Sequence, residues 1–132
     1  MTAEIVDVLV VDDDEDIRDL LKILLESEGY RVNVAADGEA AWRQLRNGKK
    51  PALILLDLMM PRMDGEQFLR RLRSSGLSNI AVVLLSANEC TQEKATMLNA
   101  TGCLKKPIEL EQLLAIVSRL SRNPTGQPSK SP

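Results

Sequence analysis

The sequence predicts a single α/β domain built on an open, doubly wound parallel sheet, and three observations carry that prediction. Four short runs, VDVLVV (6–11), VNVAA (32–36), ALILLD (52–57) and IAVVLLS (80–86), are nearly continuous in apolar residues, as strands covered on both faces must be. Each is followed by a stretch whose apolar residues recur at helical spacing. With 132 residues, the chain is long enough for one domain with a real core and too short for two ordinary ones.

The elements follow in order. After the first run, Ile17, Leu20, Leu21, Leu24 and Leu25 fall on one helical stripe, with Asp14 as N-cap and Glu15 and Asp16 in a first turn that favours acids. Asp37 caps a second helix that runs through Trp42 and Leu45. Asp64 and Gln67 form a capping box ahead of Phe68, Leu69 and Leu72, which gives a third. A fourth helix spans about Gln92 to Leu98, and Asn99 can take the left-handed conformation that ends it. GCLK (102–105) reads weakly as a fifth strand. ELEQLLAIVSRL (109–120) closes the set, with Leu110, Leu113, Leu114 and Val117 on one face. Five βα units with right-handed crossovers give the flavodoxin-like strand order 2-1-3-4-5. Residues 1–121 are assigned to this domain, and 122–132, rich in Ser and Pro, to a linker or disordered tail.

Composition narrows the chemistry. A net charge of −2 offers no basic footprint for nucleic acid or an anionic membrane. Tyr30, Trp42 and Phe68 are the only aromatics, too few for base stacking. No apolar run approaches the length of a membrane span, and no signal peptide is evident. Cys90 and Cys103 show neither metal-ligand spacing nor a disulfide framework, so a reduced, cytoplasmic setting is the default expectation. The absence of histidine removes the commonest general base and zinc ligand, and every Ser-His or Cys-His pair.

In a doubly wound sheet, ligands bind beyond the carboxyl ends of the strands, where strand order reverses. The first strand ends at Asp12 and Asp13, the third at Asp57 and the fourth at Ser86, and Lys106 and Pro107 follow the fifth. Three carboxylates, a lysine and a hydroxyl suit a hard divalent cation, Mg²⁺ best, together with a phosphate oxygen. No glycine-rich loop is present to cradle a nucleotide. A carboxylate can itself be the phosphoryl-accepting nucleophile.

VVDD (10–13), LLDLMMPRMDG (55–65), LSA (85–87) and KP (106–107), four fragments in order at successive strand ends, resemble the receiver domain of two-component response regulators over about residues 5 to 121. The resemblance implies Asp57 as phosphoacceptor, Asp12 and Asp13 as the Mg²⁺ pair, and the Met59 carbonyl as a further metal ligand. It implies that Ser86 hydrogen-bonds the phosphoryl group, that Lys106 pairs with it, and that a cis peptide precedes Pro107. The phosphoryl donor would be an external sensor histidine kinase or histidine phosphotransfer protein, acting toward a downstream output partner. It also implies a signalling domain that catalyses only its own phosphorylation and dephosphorylation.

The chain departs from the family at Cys103, where an aromatic switch residue usually stands. The resemblance then implies that signalling relies on movement of the loop from 86 to 92 and the fourth helix, which looks short, or else is weak. The simplest reading of Cys103 is a small core residue in the space the ring vacates, with thiol-based regulation as the lesser alternative. Two other functions compete with the phosphorylation switch: a constitutive interaction module that keeps the acidic pocket without signalling through phosphate, and a free-standing phosphohydrolase. Homodimerisation on the fourth-helix face is a further expectation.

Overall fold

The computed structural model describes residues 6–60, 64–77, 79–88 and 90–121. The expected tail (122–132) and the segment 61–63 of the second motif lie outside these residues. Ten elements alternate along the chain: β1 (Val8–Val11), α1 (Glu15–Ser27), β2 (Val32–Ala35), α2 (Gly38–Arg46), β3 (Leu53–Asp57), α3 (Gly65–Arg73), β4 (Ala81–Ser86), α4 (Gln92–Met97), β5 (Gly102–Lys105) and α5 (Leu110–Leu120). All strand pairs are parallel, in the order β2-β1-β3-β4-β5, as the sequence predicts. No helix among the described residues is long and apolar enough to cross a membrane.

The central strands β1, β3 and β4 are buried on both faces because their bodies are apolar, while the edge strands β2 and β5 are partly exposed. Leu9, Val11, Ile54, Leu56, Val82 and Leu84 meet α2 and α3 through Ala41, Leu45, Phe68, Leu69 and Leu72. Val8, Val10, Leu53, Leu55, Val83 and Leu85 meet α1 and α5 through Leu21, Leu25, Leu113 and Val117. Each such side chain contributes roughly 1.5–3 kcal/mol by leaving water. Trp42 packs edge-on to Phe68, with the Arg71 guanidinium over its ring.

Side-chain oxygens start the helices where the sequence places them. Asp14 accepts from the Asp16 and Ile17 amides, Asp37 from Ala40, and Asp64 and Gln67 form a reciprocal capping box. Asn99 adopts φ 64° and ends α4 after only six residues. Two residues of the expected apolar stripes depart from the core. Leu20 is 55 % exposed and Leu110 46 % exposed, because each lies on the flank of its stripe. Together with Ile17, Leu24 and Ile108 they wall a small cleft of about 170 Å³ between α1 and α5.

Packing against β3 accounts for Gly65 at the end of the second motif. Its amide donates to the Leu58 carbonyl, so α3 begins directly against the end of β3. A Cβ at this position would stand 2.7 Å from the Leu58 Cα and press on the Asp57 carbonyl oxygen, both fixed backbone. Gly65→Ala is therefore expected to lower stability by about 1–3 kcal/mol in urea denaturation. Gly76→Ala, where nothing lies within 4 Å, serves as the control, and equal midpoints for the two variants would contradict this packing.

Candidate functional site

Four strand ends converge on one edge of the sheet. Asp12 and Asp13 follow β1, Asp57 ends β3, Ser86 ends β4, and Lys106 follows β5. Carboxylate oxygens of Asp12, Asp13 and Asp57 all lie within 4.8 Å of one another. Asp12 is completely buried, Asp57 nearly so, and Asp13 faces solvent. At such separations each ionised pair repels by on the order of 3 kcal/mol at an effective dielectric near 20.

Asp12 is fixed by hydrogen bonds at one carboxylate oxygen and at its backbone carbonyl. Its Oδ1 accepts from the Asp14 amide at 2.9 Å, and its backbone carbonyl accepts from Arg18 on α1 at 2.9 Å. Asp12 Oδ2 forms an ion pair with Lys106 Nζ at 3.0 Å, but off the direction of a hydrogen bond. This buried oxygen accepts no hydrogen bond among the described residues. Such an atom, in a cluster of hard oxygen donors, fits a divalent cation.

Asp57 Oδ1 accepts from the Met59 amide at 3.1 Å and lies 3.5 Å from Lys106 Nζ. Burial pushes the Asp57 carboxyl from its ordinary 3.8 to about 6; the Met59 amide opposes this, Asp12 adds to it, Lys106 opposes it, and contact with Asp13 raises it. For Lys106, burial alone would lower the pKa, but close contact with Asp12 and the charges of Asp12 and Asp57 outweigh it and leave it raised. Lys106 thus keeps its proton beside two acids.

The remaining site residues sit at the same edge. Ser86 is buried, its Oγ accepts from the Asn88 amide at 3.1 Å, and its carbonyl accepts from the Lys106 amide at 2.7 Å. The Lys106–Pro107 peptide is cis. Met59 follows Asp57 with its side chain 72 % exposed.

Cys103 corrects the reading of the cysteines. It packs against the α2–α3 core, as a small residue would, but it is joined to Cys90 by a disulfide. The expectation of two unpaired thiols fails because the fold brings Cys90, beyond the end of β4, to within 5.8 Å (Cα to Cα) of Cys103 in β5, a proximity that no local pattern encodes. Arg18, which fixes the Asp12 backbone, was also not anticipated; its only sequence signal is a position in the first turn of the helix that follows the acids.

The response regulator receiver domain matches residues 8–118. A response regulator, MprA, of Mycobacterium ulcerans is 40 % identical across 87 % of this chain and 50 % of its own length. The alkaline phosphatase synthesis transcriptional regulatory protein SphR of Synechococcus elongatus is 34 % identical across 95 % of this chain and 52 % of its own. The chain therefore spans about half the length of these curated relatives. Among solved structures, the Vibrio cholerae chemotaxis protein CheY4 superposes with a TM-score of 0.79 at 31 % identity, over 89 % of this chain and 99 % of that one. The receiver domain of the Francisella response regulator 1452 gives 0.79 at 33 % identity, over 86 % and 94 %.

The Asp57 geometry sets a pH dependence in the absence of divalent cations. The folded chain holds this proton up to about pH 6, the unfolded chain only to about 3.8. Between those values the folded state binds more protons, so the contribution of Asp57 to stability falls as pH rises and is fully unfavourable above about 6. Asp57→Asn in EDTA is expected to raise the urea midpoint at about pH 8, with the gain shrinking toward about pH 4. A gain independent of pH would contradict the assignment.

Proposed function

The chain belongs to the response regulator receiver domains of two-component systems, and from that premise we propose that Asp57 accepts a phosphoryl group in a Mg²⁺-dependent reaction, switching the domain between two signalling states. One observation carries the reading: the Asp57 carboxylate meets Lys106 Nζ at 3.5 Å beside two further acids, at the edge where the sheet's strand order reverses.

Asp12, Asp13 and Asp57 would hold the cation, with the Met59 carbonyl as a further ligand. When bound, the cation offsets the repulsion among the acids and the charge of the phosphoryl oxygens. The chain's own residues supply the rest. With a pKa of about 6, Asp57 is mostly ionised near neutral pH, and its oxygen attacks phosphorus. The bond from phosphorus to the donor nitrogen breaks, and the imidazole leaves with its electron pair. This sequence contains no histidine, so the donor lies outside it; membership of the receiver family supports a phosphohistidine on a sensor kinase or phosphotransfer protein of the cytoplasm as that donor. Lys106, protonated and already beside Asp57, places fixed positive charge where the phosphoryl oxygens arrive. The Ser86 hydroxyl accepts the Asn88 amide and retains its own proton to donate to a phosphoryl oxygen.

Incubation with Mg²⁺ and phosphoramidate is expected to add one phosphoryl group by intact mass, and none in Asp57→Asn. Lys106→Met should slow labelling by roughly a hundredfold while leaving the fold intact. An adduct that persists in Asp57→Asn, or no adduct in the parent protein, would overturn the reading.

A further inference from the structure

The disulfide between Cys90 and Cys103 ties the loop that follows Ser86 to β5, the strand that precedes Lys106. Cys90 lies four positions after Ser86, at the end of β4. Cys103 lies in β5 three positions before Lys106, and the strands pair with Leu84 opposite Cys103 and Ser86 opposite Lys105. The bridge closes a segment with a sequence separation of 13 that contains the whole of α4. Its Cα atoms are 5.8 Å apart, within the range that a disulfide spans without backbone movement.

The helix inside the loop is lightly packed: within α4 only Ala95 is buried, while Met97 is 78 % exposed. Its own ties are polar: Thr91 Oγ1 caps the Lys94 amide, and Gln92 Nε2 donates to the Thr101 carbonyl. Apart from the bridge, the segment is anchored after the helix, where Leu98 and Ala100 pack against the core, Arg73 Nε donates to the Asn99 carbonyl and the Thr101 amide donates to the Val82 carbonyl. The N-terminal side of α4, next to Cys90, has no such anchor among the described residues, and a helix with one buried side chain opens at lower cost than the core. Both cysteines are only half-buried, within reach of small thiols and disulfides. In a reducing compartment, a disulfide of this kind is characteristically transient and redox-sensing.

We propose that Cys90 and Cys103 form a reversible redox clamp on α4, resting on the phosphoryl-acceptor reading of Asp57: closed, it restrains the loop after Ser86 and slows phosphoryl uptake; open, it releases both. A low-molecular-weight disulfide of the glutathione type closes it. One cysteine thiolate attacks the external disulfide, whose sulfur–sulfur bond breaks to release one small thiol. The second cysteine thiolate then attacks the mixed disulfide, and the second small thiol leaves. The protein loses two electrons, the external disulfide gains them, and the two cysteine protons end on the two departing thiols. An external dithiol reverses the exchange.

The chain is equilibrated in reduced and in oxidised glutathione, and the state is read by alkylation and intact mass, with two adducts expected when open and none when closed. Amide hydrogen exchange across residues 91–100 is then expected to be about tenfold slower in the closed state. Labelling by phosphoramidate and Mg²⁺ should be several-fold slower when closed, and Cys90→Ser should match the open form in either buffer. Equal exchange in the two states, or two free thiols after oxidation, would overturn the clamp. Equal labelling rates despite slowed exchange would overturn its control of Asp57. A protein never labelled in either state would instead overturn the phosphoryl reading, and the exchange comparison would still decide the clamp.

Discussion

Three acidic side chains brought within 4.8 Å of one another set the terms for the rest of this molecule. Asp12 and Asp57 are taken out of water by the same sheet that buries the apolar strands, so their repulsion is not relieved by hydration. Lys106 is the one basic side chain that the described residues bring to both, and a single positive charge does not balance three negative ones. Burial, with the charge of Asp12 adding to it, raises the Asp57 proton affinity, and a buried oxygen of Asp12 accepts no hydrogen bond among the described residues. A divalent cation would be complementary to these features, supplying both the missing positive charge and a partner for the Asp12 oxygen.

The fold places this cluster through simple means. Apolar strands shut the sheet on both sides and leave only strand ends for polar chemistry, while the parallel order brings the ends of β1, β3, β4 and β5 to one edge. Backbone contacts between neighbours keep them in register: Lys106 donates to the Ser86 carbonyl, and Leu58 to the Leu85 carbonyl. Gly65 allows α3 to start against β3, so that no side chain intrudes beneath Asp57.

Much of this was legible in the sequence. Strand order followed from apolar runs alternating with helical stripes, and Asp14, Asp37 and Asp64 marked helix starts, because a cap needs only local geometry. The residues Asp12, Asp13, Asp57, Ser86 and Lys106 could be named because each sits at a strand end. What local pattern does not encode was missed. Leu20 and Leu110 belong to apolar stripes by spacing, yet how much of a stripe is covered depends on how α1 and α5 lean together. The pairing of Cys90 with Cys103 depends on two residues distant in sequence meeting beside β5, and the anchoring of Asp12 by Arg18 on a side chain reaching past the turn between them. The reason for Gly65 appears only when the end of β3 is seen against the start of α3.

If shared charge is the organising constraint, the cation should stabilise the fold itself, independently of any phosphoryl donor. The direct measurement is the thermal midpoint of the unphosphorylated protein as Mg²⁺ is titrated from EDTA into the millimolar range, beside the Asp13→Ala variant. The account predicts a midpoint that climbs with Mg²⁺ as binding to the folded state alone requires, and a flat response in Asp13→Ala. A midpoint in the parent protein that ignores Mg²⁺, or the same rise in Asp13→Ala, would contradict it.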